Sequence, residues 1–191
     1  PPGTVFERFA LEYSNHLARE KVRVQIVPSH GSEENLARLQ APGSRFDVGF
    51  VQSGLESAKV PAGKQRPVHS LGSIMYVPLW IFYRSSSNVT LLSDFSGQRL
   101  AIGESGSGTL ALAKTLLATN GIVEGGRTTL LQIDGDEGVT NLLAGKVDAV
   151  FLMSESVSTQ TINTSGTSCA LYFMMLRGDP TKYLPNRVAR A

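Results

Sequence analysis

The chain has 191 residues, enough for one domain or for two lobes of roughly 100 residues each. Its 41% hydrophobic and 18% charged residues are an ordinary globular composition, and a net charge of +2 with no Lys/Arg run gives no case for a nucleic-acid partner. The single cysteine, Cys169, excludes an internal disulfide framework and a cysteine-rich metal site, and the least polar stretch, Pro67 to Tyr83, is too short to span a membrane.

Thr4 to Glu7 has capping-box spacing, and Phe6, Phe9, Ala10, Tyr13 and Leu17 then fall on one helical face. Residues 22–27 alternate as a strand that stops at Pro28. Ser32 caps a second helix running to Leu39, with Glu33 and Glu34 in its first turn. Pro42 and Gly43 break the chain before a second strand, Phe46 to Val51, which ends at Gln52, Ser53 and Gly54. Ala58 to Arg66 reads as a surface loop, and Leu71 to Tyr83, rich in aromatic and β-branched residues, as a long or bent strand. A turn at 85–88 and a short capped segment, Leu92 to Gly97, lead into the apolar strand that begins at Arg99.

That strand runs into Gly103, Glu104, Ser105, Gly106, Ser107, Gly108 and Thr109, and a helix follows to Thr119, closed by Asn120 and Gly121. Thr129 to Ile133 is a strand, and Asp136 to Ala144 a helix capped by Asp136 and stopped by Gly145. Val147 to Met153 is a further strand. A helix near residues 155–162 and an apolar run from Ala170 to Leu176 complete the order. Strands alternating with helices across short Gly-containing connections predict an α/β fold with mostly parallel sheets. Residues 25–50 and 132–151 echo each other: a Gly-acid turn, a helix carrying Asn-Leu, then a strand with an early Asp and a later Phe. Two similar lobes with a cleft between them account for this, as does chance similarity between two βαβ units.

The loop from Gly103 to Thr109 can place free backbone N–H groups at the positive end of a helix, where an anion is held. It is not a Walker loop, because Thr109 and Leu110 stand where Lys-Ser/Thr is required. It is not a nucleophile elbow either, since neither Ser105 nor Ser107 is flanked by glycine on both sides at the needed spacing. A dinucleotide fingerprint survives in Gly106, Gly108 and Ala111 with Asp134 downstream, opposed by the Glu104 carboxylate. Catalysis has little to draw on: His16 and His69 read as surface residues, and His30 either lines a cleft or is solvated in its loop. No ligand spacing supports a metal, and Asp47 and Asp148 read as strand-start caps. What remains is a set of polar groups at strand and helix ends. Gly31, Ser32 and Asn35 open one helix, Gln52 and Ser53 follow a strand, and Ser105, Gly106, Ser107, Gly108 and Thr109 open another helix. Tyr76 and Trp80 either wall the cleft between these groups or belong to the core.

Asp47 to Gly54, Leu71 to Arg84, Leu92 to Thr109, Asn120 to Ile122 and Leu143 to Phe151, in that order, resemble the TAXI-type solute receptors of TRAP transporters. The resemblance implies a type II periplasmic-binding-protein fold and an extracytoplasmic, non-enzymatic receptor without cofactor, possessing in its full length a membrane anchor in some members. It implies a small anionic solute (a dicarboxylate, amino acid or 2-oxo acid) and membrane transporter subunits as partners. It assigns the ligand to the loop at Ser105–Thr109, the helix start at Gly31–Asn35 and the segment at Gln52 and Ser53. The family usually follows the Tyr76 position with Glu-Pro, and if that glutamate contacts ligand or a bound cation, Val77-Pro78 here implies altered specificity. It implies residues 1–75 as a first lobe lacking its first strand and C-terminal return, 76–176 as a second lobe, and 177–191 as the start of the return. The expectation is therefore a fragment truncated at both ends. A ligand-sensing regulatory domain on the same fold and a dinucleotide-binding enzyme domain are the alternatives.

Overall fold

Alternation of side chains builds the centre of the molecule. In the computed structural model, residues 3–53, 55, 66–75, 77–84 and 89–153 are described, with the backbone of 170–174 and 189–190. Strand β1 (Leu79–Tyr83) sends Leu79, Ile81 and Tyr83 to one face and Trp80 and Phe82 to the other. It lies beside β4 (Ala149–Met153), which likewise divides Ala149 and Phe151 from Val150 and Leu152. With β2 (Arg99–Ala101), β3 (Thr129–Leu131), β5 (Ala170–Met174) and β6 (Ala189–Arg190), these strands form one sheet in the order β3-β2-β4-β1-β5-β6. Strands β3, β2 and β4 are parallel, and β1, β5 and β6 extend the sheet by antiparallel pairing.

Helices cover both faces. Helix α3 (Gly108–Thr119) lays Leu110, Ala113, Leu116 and Leu117 over Leu79, Ile81, Leu100 and Phe151, beside Leu92 and Phe95 of a short 3-10 turn. Phe95 meets Tyr83 and Phe151 edge-on, with centroids 5.6 and 6.4 Å apart. Helix α4 (Gly135–Leu143) packs Val139 and Leu142 on the opposite face against Phe82, Ala101 and Val150. It sits so close that a Cβ at Gly138 would lie 2.7 Å from Val150 Cγ2.

The polar ends of these elements are tied by side chains. Arg84 Nη1 donates to the last carbonyls of α4, at 3.2 Å for Leu142 and 2.8 Å for Leu143. Asp148 accepts from Arg99 Nη2 at 2.7 Å, Nε at 3.0 Å and the Arg99 backbone N–H at 2.8 Å, so it fixes the starts of β2 and β4 together. The expected strand-start role of Asp148 is thus a bidentate ion pair. Helix α4 begins one residue earlier than expected and its cap is Asp134, whose carboxylate accepts from Glu137 N–H at 2.8 Å, not Asp136. Gly121 and Gly145 follow α3 and α4 with positive φ, as helix-ending residues do.

The first part of the chain departs from expectation. Helix α1 (Val5–Arg19) forms on the predicted pattern, yet none of its residues is buried; Phe6 and Tyr13 each lie 6.1 Å from the Phe50 ring. Its capping box is partial: Glu7 accepts from the Gly3 N–H at 2.6 Å, and Thr4 makes no side-chain cap bond. The strands expected at 22–27 and 46–51 belong to no ladder among the described residues. An alternating pattern supplies side chains for a strand but not the neighbouring backbone that a strand must pair with, and Val22, Val24, Val27 and Val48 are exposed. The long strand expected from Leu71 is paired only from Leu79 onward, and Leu71 itself is 89% exposed. Of the two echoing units, the second forms strand, helix and strand, whereas the first supplies only its helix, α2 (Ser32–Gln40). The turn at 85–88, most of the loop at 58–66, the helix at 155–162 and Cys169 lie outside the described residues.

The hydrogen bonds from the Arg99 guanidinium hold the Asp148 carboxyl below the ordinary carboxylate range, against an opposing effect of burial. A depressed carboxyl contributes stability that is complete above its unfolded value and lost as the pH falls through the folded one. Asp148→Asn therefore lowers the melting temperature at neutral pH and flattens the fall in stability below about pH 4. Melting curves across the acid range check this; an acid limb as steep in the variant as in the parent contradicts it.

Candidate functional site

The starts of α2 and α3 meet. Helix α2 follows Gly31, whose φ of 143° lies outside the range that other residues adopt readily. The need for glycine there is also steric, since a Cβ at position 31 would lie 3.0 Å from Ser107 Cα and 3.4 Å from the Gly106 carbonyl oxygen. The backbone N–H of Glu34 donates to that Gly106 carbonyl at 3.2 Å. One helix thus offers a first-turn donor directly to the loop that opens the other.

The cap expected from Ser32 is made differently. Gly31 is the N-cap, Ser32 is the first helical residue, and the Glu34 carboxylate accepts from the His30 N–H at 2.7 Å. Burial opposes ionisation of Glu34, but the His30 N–H and the Arg38 guanidinium outweigh it and hold its carboxyl below the ordinary range. Arg38 pairs with Glu34, donates to the Pro28 carbonyl at 2.9 Å and lies over the Phe46 ring at 5.3 Å. These bonds hold the helix start against the segments on either side of it.

On the facing side, Gly103 turns the chain out of β2 with φ 95°, where a Cβ would stand 2.8 Å from Thr109 Cβ. Ser107 is the N-cap of α3, and its Oγ accepts from the Leu110 N–H at 3.1 Å. The hydroxyl proton remains able to donate, which is what an anion at this helix start requires. Ser105 is exposed, while Gly108 is buried at the first position of the helix.

The predicted residues divide by position. Gly31, Ser32, Gly106, Ser107 and Gly108 are brought together at the junction, and Ser32 is only 6% exposed. Gln52 reaches the same place: a Cβ on Gly108 would lie 2.7 Å from its carboxamide carbon, and its Nε2 donates to Met153 Sδ at 3.4 Å. Thr109 stands behind the junction against Gly103, and Ser53 is exposed beside it in sequence. Asn35 Nδ2 donates to the Phe50 carbonyl at 2.9 Å, tying α2 to the preceding segment. Trp80 lies on the α4 face of the sheet, stacked near Phe82 at 6.3 Å, in an apolar layer with Val150 and Leu152. Tyr76 lies outside the described residues.

Two participants were not among those predicted. Met153 closes β4 at its carboxyl end, and the rule that open sheets bind ligands beyond such ends would have found it. Glu104 faces His30 across the junction, with Nδ1 to Oε2 at 3.7 Å and the histidine 70% exposed. From the sequence alone, Glu104 reads only as an obstacle to pyrophosphate. Among the described residues, no group of three or more His, Cys, Asp or Glu side chains gathers to hold a metal, and no helix is long and apolar enough to cross a membrane.

A mixed sheet between helical layers, with two helix starts converging beyond its strand ends, is the architecture of type II periplasmic binding proteins, and solved structures bear this out. An ancestral arginine-binding protein bound to arginine aligns over 95% of this chain and 73% of its own length, at 16% identity and a TM-score of 0.58. The ancestral amino acid-binding protein AncCDT-1, described as a precursor of cyclohexadienyl dehydratase, aligns over 85% and 65%, at 17% identity and a TM-score of 0.52. The periplasmic aliphatic sulphonate binding protein SsuA from Escherichia coli matches over 41% of this chain and 27% of its own, at 19% identity and a TM-score of 0.36, so the aligned part spans about a quarter of that protein. The sequence pattern of the NMT1-like family matches residues 7–182, and the chain belongs to that family. No curated protein matches the sequence.

The cap at Ser107 gives a test of the helix start that is separate from binding. Ser107→Ala lowers stability by about 1 kcal/mol, whereas Ser107→Gly costs only about a few tenths, because glycine is tolerated at an N-cap. Urea denaturation of both variants measures the difference. An alanine variant as stable as the parent would show that the hydroxyl does not cap α3.

Proposed function

We propose that this chain is the ligand-binding part of an extracytoplasmic solute receptor that captures a small organic anion and delivers it to a TRAP-type transporter. The observation that carries this reading is the convergence of two helix N-termini, α2 at Gly31–Ser32 and α3 at Ser107–Gly108, at one buried junction. Both present the positive end of a helix beside the Ser32 and Ser107 hydroxyls, and the Glu34 carboxylate at the α2 start is already engaged by Arg38 and the His30 N–H. A carboxylate fits such a pair of donors better than a cation or a neutral sugar. The ancestral arginine-binding protein and the amino-acid-binding AncCDT-1 show what this fold accommodates elsewhere. The TRAP assignment rests on the ordered resemblance to TAXI-type receptors.

The activity is binding and not catalysis. His30 and Glu104 meet at the exposed rim of the junction, the Glu34 carboxylate is engaged by Arg38 and the His30 N–H, and the hydroxyl that could serve as a nucleophile, Ser107, accepts from the Leu110 N–H. Capture follows from differential contact: a solute touching both helix starts stabilises the closed arrangement over an open one.

Dicarboxylates, amino acids and 2-oxo acids screened by thermal shift should include at least one that raises the melting temperature with increasing concentration. At a hundredfold excess over Kd the gain is about 2.7 kcal/mol. Thr109→Ala should weaken that acid by about 1 kcal/mol or more if its hydroxyl bonds the anion. A flat response across the whole panel overturns the receptor reading, and wild-type affinity in Thr109→Ala removes that hydroxyl from the site.

A further inference from the structure

We infer that Asn120 is a site of spontaneous deamidation held in check by the turn that closes α3, so that its conversion to aspartate marks chains in which that turn has opened. The site lies at the end of α3 opposite the junction, and its chemistry is independent of the function proposed above.

One dipeptide sets the reaction. Among the asparagines of the chain, only Asn120 precedes a glycine. Glycine has no side chain to shield its backbone nitrogen. Gly121 N, once deprotonated, therefore reaches the Asn120 carboxamide carbon more readily than the nitrogen of a bulkier residue would. A bond forms between Gly121 N and Asn120 Cγ, the bond from Cγ to Nδ2 breaks, and Nδ2 leaves as ammonia with the proton that Gly121 lost. Water then opens the five-membered imide at either carbonyl, giving aspartate or isoaspartate. No oxidant or other reactant is required.

The native turn opposes each part of the ring closure. The Gly121 N–H donates to the Ala118 carbonyl at 3.0 Å, which engages the proton that must be lost. Asn120 Nδ2 donates to the Leu116 carbonyl at 2.8 Å, which draws the carboxamide back along the helix. A ψ of 18° at Asn120 turns Gly121 N away from the Asn120 Cβ, whereas the imide needs both on the same side of the Cα–C bond. The turn is also pinned from beyond. The Ile122 N–H donates to the Leu117 carbonyl at 2.9 Å, and the Ile122 side chain, 4% exposed, joins Leu117 in the core. Opening the turn thus withdraws Ile122 from the core, and the reaction waits on that event.

Conversion then weakens the cap that had prevented it. Aspartate at 120 has no Nδ2 to donate to the Leu116 carbonyl, and its charge stands at the negative end of the α3 dipole. Isoaspartate adds a carbon to the main chain just before Gly121.

The test incubates the whole chain in mildly alkaline buffer, with and without urea sufficient to unfold it, and follows residue 120 by peptide mass spectrometry. Conversion in native buffer should be slower than in urea by about tenfold or more. Asn35 and Asn141, each followed by leucine, should stay unconverted over the same period. Ile122→Ala loosens the pin without touching the reacting groups and should speed native conversion by about tenfold, with the rate in urea unchanged. Ile122→Val makes the same test more gently, with a gain of about threefold, should the alanine variant not fold. Equal rates with and without urea, native rates indifferent to loss of the Ile122 contact, or no conversion at 120 in urea overturns the inference.

Discussion

Everything at the junction depends on how closely two backbones approach. Gly31 lies against Ser107, and Gly108 against Gln52, at distances where a single Cβ would have to displace its neighbour. The approach lets a first-turn N–H of α2 bond a carbonyl of the α3 loop, and it leaves no room for a bulky side chain between the helix starts. In the function proposed above, a site made this way recognises its ligand mostly with backbone and hydroxyl donors. Such donors are fixed by secondary structure and do not need to reorganise on binding.

The sheet explains why the donors are held still. Helix α3 is anchored by a buried row against β1, β2 and β4, and its N-terminus projects from the carboxyl end of β2 through a turn that only Gly103 accommodates. The strand starts at the other end are fastened by the Asp148–Arg99 pair, and the end of α4 by Arg84. Polar fastenings thus sit at the margins and apolar packing in the middle, so the α3 start is a rigid platform. The α2 start is held differently, by Glu34, Arg38 and Asn35 acting on neighbouring chain segments, with Leu36 and Leu39 buried further along the helix. The two helix starts are thus fastened by different means, apolar packing under α3 and side-chain hydrogen bonds around the start of α2.

The second half of the chain was largely legible because its signals are local. Period-two alternation at 79–83 and 149–153, hydroxyls before helices, and glycines after them each depend on a few adjacent residues, and they agree with one another. Errors there were a residue or two, as at Asp134 and Asp136, where two acids stand within reach of one helix start. The strands at 22–27 and 46–51 were misread for a different reason, since pairing is a property of two segments and the alternation is visible in one. Trp80 shows the same limit at the level of a side chain. Its place under α4 is decided by which face of β1 it occupies, and the choice between core and cleft needs the sheet. The glycine-rich loop is legible from its composition as the turn that opens a helix, but its contact with Gly31 and Gln52 is a tertiary fact that no spacing encodes.

The central claim is that the starts of α2 and α3 act together on one ligand. Hydrogen–deuterium exchange in the presence of a saturating organic acid tests it most directly. The amides of residues 31–35 and of 106–110 should gain protection together and to the same ligand-dependent midpoint. Protection confined to one helix start, or appearing at neither while the acid is bound, would contradict it.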